Sequence, residues 1–285
     1  MGKAESWAGR FLRSREDARE SRIIMYGAPL DVTTSYRPGT RFGPRRIREV
    51  SEALESYSPI LGRDLADVQF YDGQDLPLAL AAGLEAALEG LDKEVAEVYA
   101  SGRKVLVLGG EHLITYPLVR AVYRHHPGLV VLWLDAHADL RESHHGSRWS
   151  HATVARRVRE TVGEANLVQL GVRSACREEA GLVPAGPPGL VEAMRRLRPR
   201  LEGRPLYLSL DIDVLDPAYA PGTGAPEPGG PSTRELLEAV YLLDGLDLVG
   251  ADVVEVAPAY DHADLAAIAA AKLCREILLI MAQAG

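Results

Sequence analysis

At 285 residues, the chain is long enough for one large domain with a substantial core, and its formal net charge of −8 argues against a general binder of nucleic acid or anionic membrane. Its two cysteines, Cys176 and Cys274, form no CxxC pair. That excludes a disulfide framework or zinc knuckle and points to a reducing cytoplasm, and no run has the uninterrupted apolar length of a membrane span.

Residues 1–20 carry Arg and Glu throughout, without the apolar segment of a signal peptide, and read as an N-terminal arm. From residue 21 the pattern changes. A β-rich run at Arg22–Tyr26 is followed by a helical stretch, Arg45–Leu54, opened by Pro44. A second run, Val68–Tyr71, precedes the long amphipathic stretch Leu84–Ser101. Lys104–Leu108 then leads into Thr115–His125, with Leu118, Val119 and Val122 on one helical face. Val130–Leu134, Leu167–Leu170 and Leu206–Leu210 are further apolar runs. Ser232–Leu243 begins with Ser232 and has Glu235 three residues on, a capping-box spacing. Leu248–Val254 is the last strand-like run, and Leu265–Ala282 is an apolar helix. Alternation of strand and helix predicts βαβ units, hence an α/β fold with a mostly parallel sheet covered on both faces. The stretches Pro184–Gly189 and Pro217–Pro231 read as loops, so residues 21–285 form a single domain.

The residues that carry chemistry fall where these strands end. D-A-H-A-D occupies 135–139 after Val130–Leu134, and D-I-D occupies 211–213 after Leu206–Leu210. Side chains alternate along a strand, so Asp135, His137 and Asp139 are expected to point one way, as are Asp211 and Asp213. Asp31, His112 and Glu255 likewise follow apolar runs. In open parallel sheets ligands bind beyond the carboxyl ends of the strands, so this alignment predicts one site. Four carboxylates brought together repel one another unless a cation intervenes. His112, Asp135, His137, Asp139, Asp211 and Asp213 are therefore candidate metal ligands. Carboxylates with imidazole suit Mn²⁺, Mg²⁺ or Fe²⁺ better than a closed tetrahedral zinc site. Six ligands are too many for one ion with an open position. Two ions about 3.5–4 Å apart fit the count and suit hydrolysis by an activated water.

G-G-E-H (109–112), D-A-H-A-D (135–139) and S-L-D-I-D-V-L-D-P (209–217) resemble the three signature blocks of the ureohydrolase family, which includes arginases and agmatinases. R-P-G-T-R-F-G-P-R-R-I-R (37–48), A-P-G-T-G-A-P-E-P-G-G (220–230) and V-E-V-A-P-A-Y-D (254–261) are similar to further blocks. The resemblance implies a three-layer α/β/α arginase-like fold holding two Mn²⁺ per subunit. His112, Asp135, Asp139 and Asp211 would hold one ion. Asp135, His137, Asp211 and Asp213 would hold the other. A bridging hydroxide would attack the guanidinium carbon of a small guanidino substrate and release urea. Glu255 matches the family glutamate that binds the guanidinium group, a pairing whose bidentate geometry is favourable. His151, in W-S-H-A-T, matches a histidine that shuttles the proton. Two departures stand out: Glu111 where the commoner form has Asp, and S-H-A-T where many members have S-H-G.

Arginases hold the head of arginine with a Ser-Gly-Asn string that the loop 140–150, L-R-E-S-H-H-G-S-R-W-S, lacks. Leaving the α-carboxylate and α-amine unpaired would be costly, which disfavours arginine. Blocks 37–48 and 254–261 look most like agmatinase, which hydrolyses agmatine to putrescine and urea in polyamine biosynthesis. Glu142, Asp261 or Asp264 are candidates to attract the far cation of agmatine. Arg141, Arg148, His144 and His145 favour instead a distal carboxylate, as in guanidinobutyrate; N-aminopropylagmatine is a third candidate. A metal-binding scaffold without turnover is the reading from outside the enzymes. The family resemblance also implies a homo-oligomer, trimer or hexamer.

Overall fold

The computed structural model describes residues 9–183 and 189–283. Nine strands and seven helices follow in chain order: β1 (Ile23–Ala28), α1 (Gly43–Ser51), β2 (Tyr57–Ser58), β3 (Arg63–Asp64), β4 (Phe70–Asp75), α2 (Leu84–Ala100), β5 (Lys104–Gly109), α3 (Thr115–His125), β6 (Val130–Leu134), α4 (Val154–Val162), β7 (Leu167–Leu170), α5 (Leu190–Leu201), β8 (Leu206–Asp211), α6 (Thr233–Tyr241), β9 (Leu248–Val254) and α7 (Leu265–Met281). Seven strands make one sheet in the order β4-β1-β5-β9-β8-β6-β7, and every pairing in it is parallel. β2 and β3 form a separate antiparallel pair.

Strand alternation separates two cores. On β5, Leu106 and Leu108 face one layer while Val105 and Val107 face the other. On β6, Val130, Leu132 and Leu134 oppose Val131 and Trp133 in the same way. The first layer contains Ile47 of α1, Met194 of α5, Leu236 of α6 and the apolar face of α7. The second contains Leu91 of α2, Leu118 of α3 and Val158 of α4. Both faces of the sheet are thus buried, which is why the strands are continuous apolar runs. This is the expected three-layer α/β/α arrangement. The Ser232–Glu235 capping box forms as its spacing predicts. Helices α4 and α5 and the β2–β3 pair were not among the sequence-predicted elements.

Residues 9–20 pack against the domain. Phe11 is buried and meets Phe70 edge-to-face, and its N–H donates to Asp72 Oδ2 at 2.8 Å. Residues 1–8 of the N-terminal arm lie outside the described residues, as do 184–188 of the Pro184–Gly189 loop. Among the described residues, no helix is long and apolar enough to cross a membrane.

Candidate active site

The strands β5, β9, β8 and β6 are neighbours in the sheet, and the carboxyl end of each delivers polar side chains to one place. After β5, two glycines let the chain pass tightly. A Cβ on Gly110 would stand 2.0 Å from the Leu30 carbonyl oxygen, and one on Gly109 would stand 2.5 Å from Val254. His112 opens the 3₁₀ turn that follows and is 1% exposed.

Convergence of the D-A-H-A-D residues does not come from strand alternation. β6 stops at Leu134, and residues 135–139 form an irregular loop. Asp135 Oδ1 accepts the His137 backbone N–H at 2.6 Å, and Asp139 takes a left-handed backbone with φ of 52°. In D-I-D, Asp211 ends β8 while Asp213 sits in a 3₁₀ turn, its N–H given to Asp211 Oδ1 at 2.7 Å. The side chains meet because the aspartates brace the loops that carry them.

All six candidate ligands gather. His112 Nδ1 lies 3.2 Å from Asp135 Oδ2, 3.2 Å from Asp211 Oδ2 and 3.7 Å from Asp139 Oδ2. His137 Nδ1 lies 2.8 Å from Asp213 Oδ2 and 3.6 Å from Asp135 Oδ1. Candidate donor atoms of His112, Asp135 and Asp139 are within 4.8 Å of one another, as are those of Asp135, His137 and Asp213. Asp135 thus turns one oxygen to each group, as a bridging ligand requires.

The buried network around His112 tests the fit to a cation. Ser209 Oγ donates to Asp252 Oδ1 at 2.8 Å, so it accepts from His112 Nε2 at 2.9 Å. Tyr207 and Thr115 donate their hydroxyls to Asp252 Oδ2. With its proton on Nε2, His112 turns a bare Nδ1 lone pair toward carboxylate oxygens, and Nδ1 is a buried atom without a hydrogen-bond partner. A lone pair facing carboxylates is repulsive until a cation stands between them, so these residues fit metal ions. Without one, protons must take the cation's place. Burial raises the carboxyl of Asp139, and the charge of Asp135 raises it further. Burial raises Asp211 too, helped by Asp213 and Asp135. For Asp135, burial is overcome by the neighbouring His112 and His137, and its carboxyl is lowered. Both imidazoles are raised despite burial, His112 by Asp135 and Asp211, His137 by Asp213 and Asp135.

A cavity of about 330 Å³ opens above these candidate ligands. Glu255 follows β9 with φ of 66°, lines the cavity and accepts the His112 N–H on Oε1 at 2.7 Å. Burial pushes its carboxyl up to about 8. His151 lies on the wall, at the start of a 3₁₀ turn closed by a Ser150–Thr153 capping box. That box gives the threonine of S-H-A-T a structural task. Burial lowers His151 to about 4.

The other candidates go elsewhere. Asp31 braces its own loop, accepting from Gly39 and Thr34 and pairing with Arg41. Glu142 pairs with Arg156, Asp264 with Arg46, and Asp261 accepts the first N–H groups of α7. None of these three lines the cavity, whereas Arg141 and His144 do. Sequence reasoning missed Glu179 and Arg173. Glu179 lines the cavity and accepts the N–H groups of Leu140 and Cys176, at 2.7 and 2.8 Å. Arg173 donates to the carbonyls of Asp213, Val214 and Glu227, fastening the D-I-D turn to the 220s loop. R-S-A-C-R-E-E carries no periodic or spacing signal that singles out either.

A parallel α/β/α sheet with carboxylates and imidazoles at its carboxyl edge, below a cavity with a buried glutamate, defines a hydrolase of the ureohydrolase class. The arginase family matches residues 21–280, and the chain belongs to that family. It is 43% identical to the agmatinase of Bacillus anthracis over 96% of this chain and 97% of that one. It is 36% identical to the guanidinobutyrase of Pseudomonas aeruginosa over 93% of this chain and 87% of that one. Among solved structures, the proclavaminate amidino hydrolase of Streptomyces clavuligerus superposes with a TM-score of 0.88 at 34% identity, covering 97% of both chains.

Proposed function

We propose that this ureohydrolase hydrolyses agmatine to putrescine and urea with two Mn²⁺ ions held by His112, Asp135, His137, Asp139, Asp211 and Asp213. The observation that carries the reading is the buried Asp135, whose two oxygens face His112 and His137 separately. When bound, a metal pair supplies an activated water at neutral pH. The chain's residues do the rest. Glu255 has one oxygen tied to the His112 N–H, and it presents the other to a guanidinium. An arriving cation favours its ionised form, which burial disfavours. His151 moves a proton to the leaving amine. Among the described residues, Glu179 is the one cavity-lining carboxylate outside the ligand set and Glu255, and it receives the distal ammonium. Similarity to agmatinases supports this substrate.

Arg141 and His144 on the same cavity favour a second reading, a distal carboxylate as in guanidinobutyrate. Urea release from a panel of guanidino compounds with Mn²⁺ tests both. Agmatine is expected to be turned over with the highest kcat/KM. Turnover of guanidinobutyrate in preference to agmatine would overturn the substrate assignment. Asp135→Ala is expected to lose both ions and activity together; retention of two ions by elemental analysis would refute the ligand map.

A further inference from the structure

Glu111, the departure in the G-G-E-H block, is fully buried, and its carboxyl group meets Thr33. Its Oε2 accepts the Thr33 backbone N–H at 2.8 Å and the Thr33 hydroxyl at 3.0 Å. The same hydroxyl oxygen lies 3.2 Å from His151 Nδ1 and accepts the His151 backbone N–H at 3.0 Å. A hydroxyl has one proton and two lone pairs. The Thr33 proton is committed to Glu111, so both lone pairs face His151. One takes the backbone N–H, and the other suits only an Nδ1–H. Oε2 also lies 3.4 Å from the Thr34 hydroxyl, so it accepts from three donors, and the polarity holds for as long as Oε2 is the acceptor. His151 Nε2 then keeps the lone pair, near Ser35 Oγ at 3.5 Å and on the side of the cavity that Ser35 also lines.

We propose that Glu111 and Thr33 are positioning residues that fix His151 as its Nδ1–H tautomer, so that Nε2 is the atom exchanging protons with the substrate. The inference rests on the reading of His151 as the proton carrier. In the neutral ring Nε2 accepts a proton shed during hydrolysis, and the imidazolium gives that proton to the departing amine. Nδ1–H stays on Thr33 throughout. No proton passes to Glu111. Ser150 Oγ, 3.3 Å from Nδ1, is the competing neighbour. A hydrogen bond donated by Ser150 would place the proton on Nε2 instead.

The test is ¹⁵N NMR of the full chain labelled at histidine and free of metal, with the His151 signal assigned by its loss in His151→Asn. The wild type is expected to carry the proton on Nδ1. Thr33→Ser is expected to keep that tautomer and Thr33→Val to lose it. In the Mn²⁺-loaded enzyme, Thr33→Val is expected to lower kcat about tenfold with KM and metal content unchanged, Thr33→Ser to restore it, and Glu111→Gln added to Thr33→Val to cause little further loss. A wild-type proton on Nε2, or the same tautomer in Thr33→Val, would overturn the proposal. The wild-type spectrum decides even if a variant fails to fold. Unchanged turnover in His151→Asn would remove His151 as proton carrier, while the spectra still decide the tautomer.

Discussion

Trp133 donates its indole N–H to Asp135 Oδ2 at 2.9 Å. The same ring stacks on His112, with centroids 4.1 Å apart and planes 12° from parallel. One buried residue of β6 therefore orients two candidate ligands, one through a hydrogen bond and one through its face. Groups that hold metal ligands in place typically account for about 10–100-fold in metal affinity. Trp133→Phe keeps an aromatic face and removes the donor. Calorimetric titration with Mn²⁺ is expected to show about tenfold weaker binding. Equal affinity would reduce Trp133 to a packing residue.

Glu179 is held in place by two backbone N–H groups, and its carboxyl group lies on the cavity wall. Hydrogen bonds to charged groups contribute about 1.5–3 kcal/mol and neutral ones about 0.5–1.5, so a neutral partner loses about 1–1.5 kcal/mol. Glu179→Gln is expected to raise KM for agmatine by a factor of about five to ten while Mn²⁺ content stays the same. Guanidinobutyrate is expected to suffer no such penalty. Steady-state urea kinetics with the two substrates check this, and an unchanged agmatine KM would assign the ammonium to another group.

His151 gives a pH dependence of stability with a definite sign. Burial, aided by the nearby His144, lowers its pKa to about 4 from the ordinary 6.5. Between those values the unfolded chain binds a proton that the folded chain does not, so stability is lost as pH falls from 6.5 toward 4. Thermal melts of metal-free His151→Asn are expected to decline less steeply than wild type in that window and in parallel with it above pH 7. Parallel declines throughout would mean that His151 is not held neutral by the fold.

Arg48 and Asp72 form a buried bidentate pair, 2.7 Å from Nε to Oδ2 and 3.0 Å from Nη2 to Oδ1. Asp72 also accepts the Phe11 N–H, so the pair ties α1, β4 and residues 9–15 together. Removing one partner of such a pair leaves an uncompensated charge and costs about 3–5 kcal/mol. Arg48→Met is expected to lose stability of that order in urea unfolding. Adding Asp72→Leu is expected to recover part of it; a double variant no more stable than the single would contradict the account.

The layers and the convergence of the six candidate residues were legible in the sequence because buried parallel strands are continuous apolar runs and the polar residues follow each run. The route by which ligands converge was not. Alternation was expected for residues 135–139, but Asp135 and Asp139 bend the backbone out of the strand. Glu179 and Thr33 escaped notice because their roles depend on tertiary neighbours far away in the chain. Glu142, Asp261 and Asp264 had the right charge for a cation, yet none of them lines the cavity. Charge alone does not reveal whether a carboxylate is free to meet a ligand.

The order β5-β9-β8-β6 at the centre of the sheet has a thermodynamic corollary. His112 and Asp213 reach the site from segments about a hundred residues apart, so no isolated fragment holds the complete ligand set. A cation bound there is bound by the folded chain alone, and each tenfold excess over its dissociation constant adds about 1.4 kcal/mol against global unfolding. Chelation of such a cation is then expected to lower the stability of the folded chain as a whole.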